Sequence, residues 1–116
     1  MKTNVVSFPS RASDTLDREL RFAIANKRLL QLSYEGATRV VEPHDYGLRN
    51  GVRTVLAFQR EKAGRRDRDV RGWRWLDAAT IADCVVLEAP FRGTRDAPGQ
   101  QHRHWDVLFA RVDHTD

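Results

Sequence analysis

Along this chain the spacing of apolar residues changes period once. Leu16, Leu20, Ala23 and Ile24 recur at helical spacing on one stripe, while Asp17, Arg18, Arg21 and Lys27 fall on the other side. Ser13, Asp14 and Thr15 are each competent caps, and Asp14 and Asp17 suit the positive end of a helix, so the pattern predicts one helix over residues 14–27. Residues 1–12 carry Pro9, two serines and no period, and read as a flexible N-terminal arm before a single domain over residues 13–116.

After Arg28 the period becomes two. Leu30, Leu32 and Tyr34 alternate with Gln31 and Ser33, Glu35-Gly36 reverses the chain into Thr38 to Pro43, and Asn50-Gly51 is the strongest hairpin signal present. Val52, Thr54, Leu56 and Phe58 continue the alternation. A charged loop over 61–69 leads to strands at 73–77 and 81–88. Phe91 to Arg103 holds Gly93, Pro98 and Gly99 and reads as a flexible connection to a final run from Trp105 to Val112, a closing strand or, alternatively, a helix. The fold class is therefore mainly β with one N-terminal α-helix. Short antiparallel strands at this spacing are expected to curl into a small barrel.

Length and composition narrow the classes. A chain of 116 residues, 41% hydrophobic and 31% charged, suits one folded domain. No apolar run approaches the roughly 18 residues of a membrane span, and Val5, Val6 and Phe8 before Pro9 are too few for a signal-peptide core, which leads us to expect a cytoplasmic protein with no membrane partner. The single Cys84 has no partner for a disulfide within the chain and sits among apolar strand residues as a small core hydrophobe. His102 and His104 would point one way in a strand, but nothing at matching spacing completes a metal site. His44-Asp45 has no nucleophile motif beside it, and the glycines are isolated rather than gathered into a phosphate loop. We therefore expect neither catalysis, cofactor nor metal.

Charge is where chemistry concentrates. The formal net charge is +4, and Arg60 to Arg74 carries seven cations against three anions, so this segment holds all of the excess. Such a cluster can neutralise phosphates, or it can be a solvated loop. Of the 20 cations, 17 are arginine, whose fork suits phosphate oxygens.

The order of motifs resembles the WYL domain of bacterial regulators, in particular short proteins in which such a domain stands almost alone. The resemblance is carried by Ala23-Ile24 with Arg28, by Tyr34 and Gly36, by Arg39-Val40-Val41-Glu42-Pro43-His44 followed by Tyr46-Gly47, and by Gly72-Trp73-Arg74. It spans residues 16–91, with a weaker echo in Leu108 to Val112. It implies an Sm-like, Src-homology-3-type barrel that senses a ligand, commonly single-stranded nucleic acid, in transcription regulation. The eponymous Trp-Tyr-Leu falls on Thr54-Val55-Leu56, which keeps only the Leu, and the later strand lacks the arginines that flank its Leu76-Asp77 step in the family.

The expected binding face comprises Arg39, His44, Tyr46, Arg49, Arg60, Arg71, Trp73 and Arg74. Arg39 would contact an anion or pair with Glu42 or Glu35. Tyr46 would stack on a base or cover the barrel end. Trp73 and Trp75 share a strand face opposite Arg74, for a nucleobase or for the core. The leading expectation is recognition of single-stranded nucleic acid or a small, nucleotide-like polyanion without chemistry. The rival is a protein-interaction or self-association module that uses open strand edges. An arm this short cannot hold a helix-turn-helix, so regulation would act through a partner chain.

Overall fold

The computed structural model describes residues 8–64, 70–95 and 105–113, with side chains from Asp14 onward in the helix. Helix α1 (Phe8–Asn26) is followed by β1 (Arg28–Tyr34), β2 (Ala37–Arg49), β3 (Val52–Lys62), β4 (Gly72–Asp77), a 3-10 turn (Ala78–Thr80), β5 (Ala82–Pro90) and β6 (Val107–Arg111). The helix starts six residues before the expected Asp14, inside the stretch read as an arm. Pro9 does not prevent this, because a first-turn residue needs no N–H donor. Leu20, Ala23 and Ile24 are fully buried as their spacing requires, and α1 lies across β1, β2, β5 and β6. Lys27, at φ 54°, turns the chain straight from helix into strand. Among the described residues no helix is long and apolar enough to cross a membrane.

Both hairpins have two-residue turns with positive φ at both positions, 50° and 80° at Glu35-Gly36 and 52° and 79° at Asn50-Gly51. That geometry matches the twist of the flanking strands. All six strands join one antiparallel sheet of order β4-β3-β2-β1-β5, with β6 on β2. The sheet is open: β4 and β5, at the two ends of that order, share no ladder, so the expected closure into a barrel is not among its pairings. The final run is a strand.

Strand β2 organises the molecule. It runs on to Arg49, past the Pro43 at which the sequence pattern ends it, with β3 along one edge. Its other edge pairs with β1 over residues 37–41 and with β6 over residues 45–48. Pro43 falls in the gap between β1 and β6 and beside a register shift, the kind of place a strand tolerates a residue without an N–H. The core lies between sheet and helix, where Leu30, Leu32, Val41, Val55, Ala57 and Leu76 meet Leu20, Ala23 and Ile24, with Phe91 and Val112 at its margin.

Candidate anion-binding site

Three residues of the expected face are interior. Arg39 is 7% exposed, and its guanidinium is committed: Nε and Nη2 donate to the Tyr34 carbonyl at 3.2 and 2.9 Å, and Nη1 donates to Gln59 Oε1 at 3.0 Å. Its nearest carboxylate is Glu35, at 3.9 Å, and not Glu42. Arg39 therefore ties β1, β2 and β3 together, and of its expected ion-pair partners it meets Glu35. Tyr46 is fully buried, edge-on to Phe109, with its hydroxyl donating to Asp17 Oδ1 at 2.7 Å and accepting from Arg53. Its ring joins α1 to the sheet and offers no face to a base.

His44, also fully buried, is the third. Its ring packs edge-on against Trp73 at 4.8 Å and tilted against Phe91 at 5.2 Å. Its Nε2 lies 3.2 Å from Glu42 Oε1, and since an ionised carboxylate only accepts, that nitrogen carries the proton. Trp73 is half-buried, edge-on to Phe58 as well as His44. Arg74 donates to the backbone carbonyls of Trp73 and Val70. Arg49 lies 3.9 Å above the Trp75 ring, which packs on Trp105, at the far end of the β2–β3 hairpin. The expected face is therefore divided, and only Arg60 and Arg71 come together around one opening.

What joins this region is Glu42, which the sequence pattern offers only as a partner for Arg39. It is 3% exposed and sits in a cross-strand row, opposite Phe58, which in turn is opposite Trp73. Two register shifts between β2 and β3 flank it. At one, Arg60 is the extra residue between Gln59 and Glu61; at the other, His44 is the extra residue between Pro43 and Asp45. A bulge redirects the side chain it inserts. Here both inserted side chains converge on the same carboxylate, Arg60 Nη1 at 3.7 Å from Oε2 and His44 at Oε1.

Arg95 completes the cluster from the segment after β5. Its Nε donates to Oε1 at 2.8 Å and its Nη2 to Oε2 at 2.7 Å, a two-bond fork, while the guanidinium lies 3.6 Å above the Phe58 ring. Burial by itself would raise the Glu42 pKa, but the hydrogen bonds from His44 and Arg95, with the Arg95 charge, outweigh it and hold the carboxyl at about 2. Arg95 belongs to the stretch that reads as a flexible connection, where no local signal marks a contact to β2.

Beside this cluster opens a cleft of about 640 Å³. Gln31, Val40 and Glu61 stand in register across β1, β2 and β3 and form part of its wall, with Thr38 nearby. Arg60, Lys62 and Arg71 line it against the single acid Glu61, and no aromatic residue is among its described lining. Arg71 is exposed, and Arg60 is about one third exposed at its side chain. Arg65, Arg66 and Arg68 of the charged loop, and the His102/His104 pair, lie outside the described residues. Cys84 is half-buried against the core, and burial, then the Glu19 carboxylate, push its thiol up to about 12.

The chain matches no family model, and no curated protein or solved structure matches it.

Proposed function

We propose that this domain is a non-catalytic binding module for a small phosphate-bearing polyanion, held in the cleft between Arg60, Lys62 and Arg71. One observation carries the reading: among the described residues, three cations and one acid line an opening of ligand size, with Gln31 and Thr38 beside them as polar side chains able to hydrogen-bond. A described lining without rings favours phosphate recognition over base stacking. Single-stranded nucleic acid would then be held through its backbone alone. The role is that of a ligand-sensing regulatory domain, as the WYL resemblance implies. The Sm-like barrel it also implies is supported by the 3-10 turn that ties β4 to β5, since a curled sheet must bring those two edges together.

The test is a calorimetric titration with tripolyphosphate, and a parallel one with a labelled single-stranded RNA, at two salt concentrations. Saturable tripolyphosphate binding that weakens with salt, and that weakens further in Lys62→Ser and Arg71→Ser, supports the proposal. For RNA, removing a cation that neutralises one phosphate should lower the salt slope by about 0.7. Absence of saturable binding to either probe at low salt refutes it. The assembly reading has its own support in Val85, 50% exposed on the end strand β5, and Val107, 49% exposed on β6. Sedimentation equilibrium decides that question independently.

A further inference from the structure

The Glu42 cluster holds more positive than negative charge. One carboxylate faces two guanidiniums, Arg95 in a two-bond fork and Arg60 at 3.7 Å, beyond hydrogen-bond length. The two arginines differ in what else they touch. Arg95 is stacked on Phe58 and satisfied by Glu42. Arg60 lines the cleft, and Glu42 is its one ion-pair partner among the described residues.

We infer that Arg95 is a positioning residue for the cleft: by pairing with Glu42 through a two-bond fork it leaves the charge of Arg60 available to a bound phosphate. This inference rests on the reading of the cleft as an anion site. Both Glu42 oxygens already accept from Arg95 at 2.7 and 2.8 Å, with His44 on Oε1, and the fork neutralises the carboxylate's charge, so the remaining pull leaves Arg60 at 3.7 Å from Oε2. Without Arg95, a nearly buried carboxylate would have Arg60 as its nearest remaining arginine, and burial makes such an unpaired charge costly. Arg60 would close the gap to Glu42 and be withdrawn from the cleft. Neutralising Glu42 does the reverse and frees Arg60 altogether. Arg95 thereby sets the affinity of a site whose described lining does not include it.

The experiment is a mutant cycle read by calorimetric titration with tripolyphosphate, each variant first shown to melt cooperatively. Arg95→Ala should weaken binding by roughly threefold to tenfold, the range expected for redirecting one part-exposed ion pair, and Glu42→Gln should tighten it by a similar factor. The double variant should bind at least as well as the unmodified protein. A merely structural role gives the opposite signature, with both single variants weaker and the double weakest. In an Arg60→Ala background the effect of Arg95→Ala should disappear, whereas a general loss of positive field would persist. If Arg95→Ala fails to fold, Arg95→Lys keeps the charge without the fork and should fall between Arg95→Ala's predicted weakening and no change. Saturable binding by the unmodified protein with no sign reversal between Arg95 and Glu42 variants overturns this inference alone. No binding by the unmodified protein overturns the anion site and this inference with it.

Discussion

Gly47→Ala is the most informative single perturbation of the fold, because it adds one methyl group where two strands meet. Gly47 pairs with Leu108 at the register shift between β2 and β6. A Cβ there would fall on the Val107 carbonyl oxygen, well inside contact distance, and 3.0 Å from Leu108 Cα and 3.1 Å from Trp105 Cε3. Two of these three obstacles are backbone and cannot rotate away, so β6 must move off β2 by about 1 Å to restore ordinary contact. The bonds from Asp106 N to Leu48 O and from Val112 N to His44 O, each 2.8 Å, would stretch past hydrogen-bond range, and the Arg111 fork on buried Asp45 would loosen. Overpacking costs about 1–3 kcal/mol and each weakened bond about 1 kcal/mol, so a loss on the order of 3 kcal/mol is expected. At this chain length that lowers the melting temperature by ~10 °C. Circular dichroism measures the midpoint, and tryptophan emission reports release of Trp105 from Trp75. Gly36→Ala is the control: its φ of 80° is strained for alanine, but no atom lies within 4 Å, so only a backbone cost of about 1–2 kcal/mol remains. A Gly47→Ala protein that melts no lower than Gly36→Ala, with unchanged emission, would refute the packing argument.

Two further outcomes follow from the buried polar groups. Glu42 has a folded pKa of about 2 against an ordinary 4.5, so the stabilisation it supplies is complete above pH 4.5 and drains away as pH falls through that value toward 2, about 3 kcal/mol in all. Acid denaturation of Glu42→Gln should be correspondingly flatter, with a remainder from Asp17, whose pKa is depressed in the same sense; an unaltered acid limb would contradict this. Arg39→Met should cost about 2–3 kcal/mol in urea denaturation, by stranding the Tyr34 carbonyl and Gln59 Oε1, yet leave the salt dependence of tripolyphosphate binding as it was. A reduced salt slope in that variant would return Arg39 to the binding face.

Period and turn chemistry are properties of neighbouring residues, and by themselves they set the element order as far as β5, leaving the final run open between strand and helix until the structure paired it with β2. The Leu16 to Ile24 stripe had to be a buried helix face, and the alternation from Leu30 onward, broken at Glu35-Gly36 and Asn50-Gly51, had to be strands joined by tight turns. Two boundaries escaped because a proline's effect depends on position: Pro9 is harmless in a first helical turn, and Pro43 is harmless in a gap between β1 and β6 that exists only once both have docked on β2. The site was less legible for the same kind of reason. A strand pattern assigns faces by counting in twos, and a bulge breaks the count. Arg60 and His44 reach Glu42 because each is the extra residue at a mismatch between β2 and β3, and a mismatch belongs to the pair rather than to either strand. Burial of Arg39 and Tyr46 likewise needed partners distant in sequence, Gln59 for one and Asp17 with Arg53 for the other, to offset the cost of enclosing a guanidinium and a phenol. Local sequence concentrated positive charge between Arg60 and Arg74; only the tertiary fold decided that Arg60, Lys62 and Arg71 line the opening, while Arg95, from another segment, occupies the carboxylate beside it.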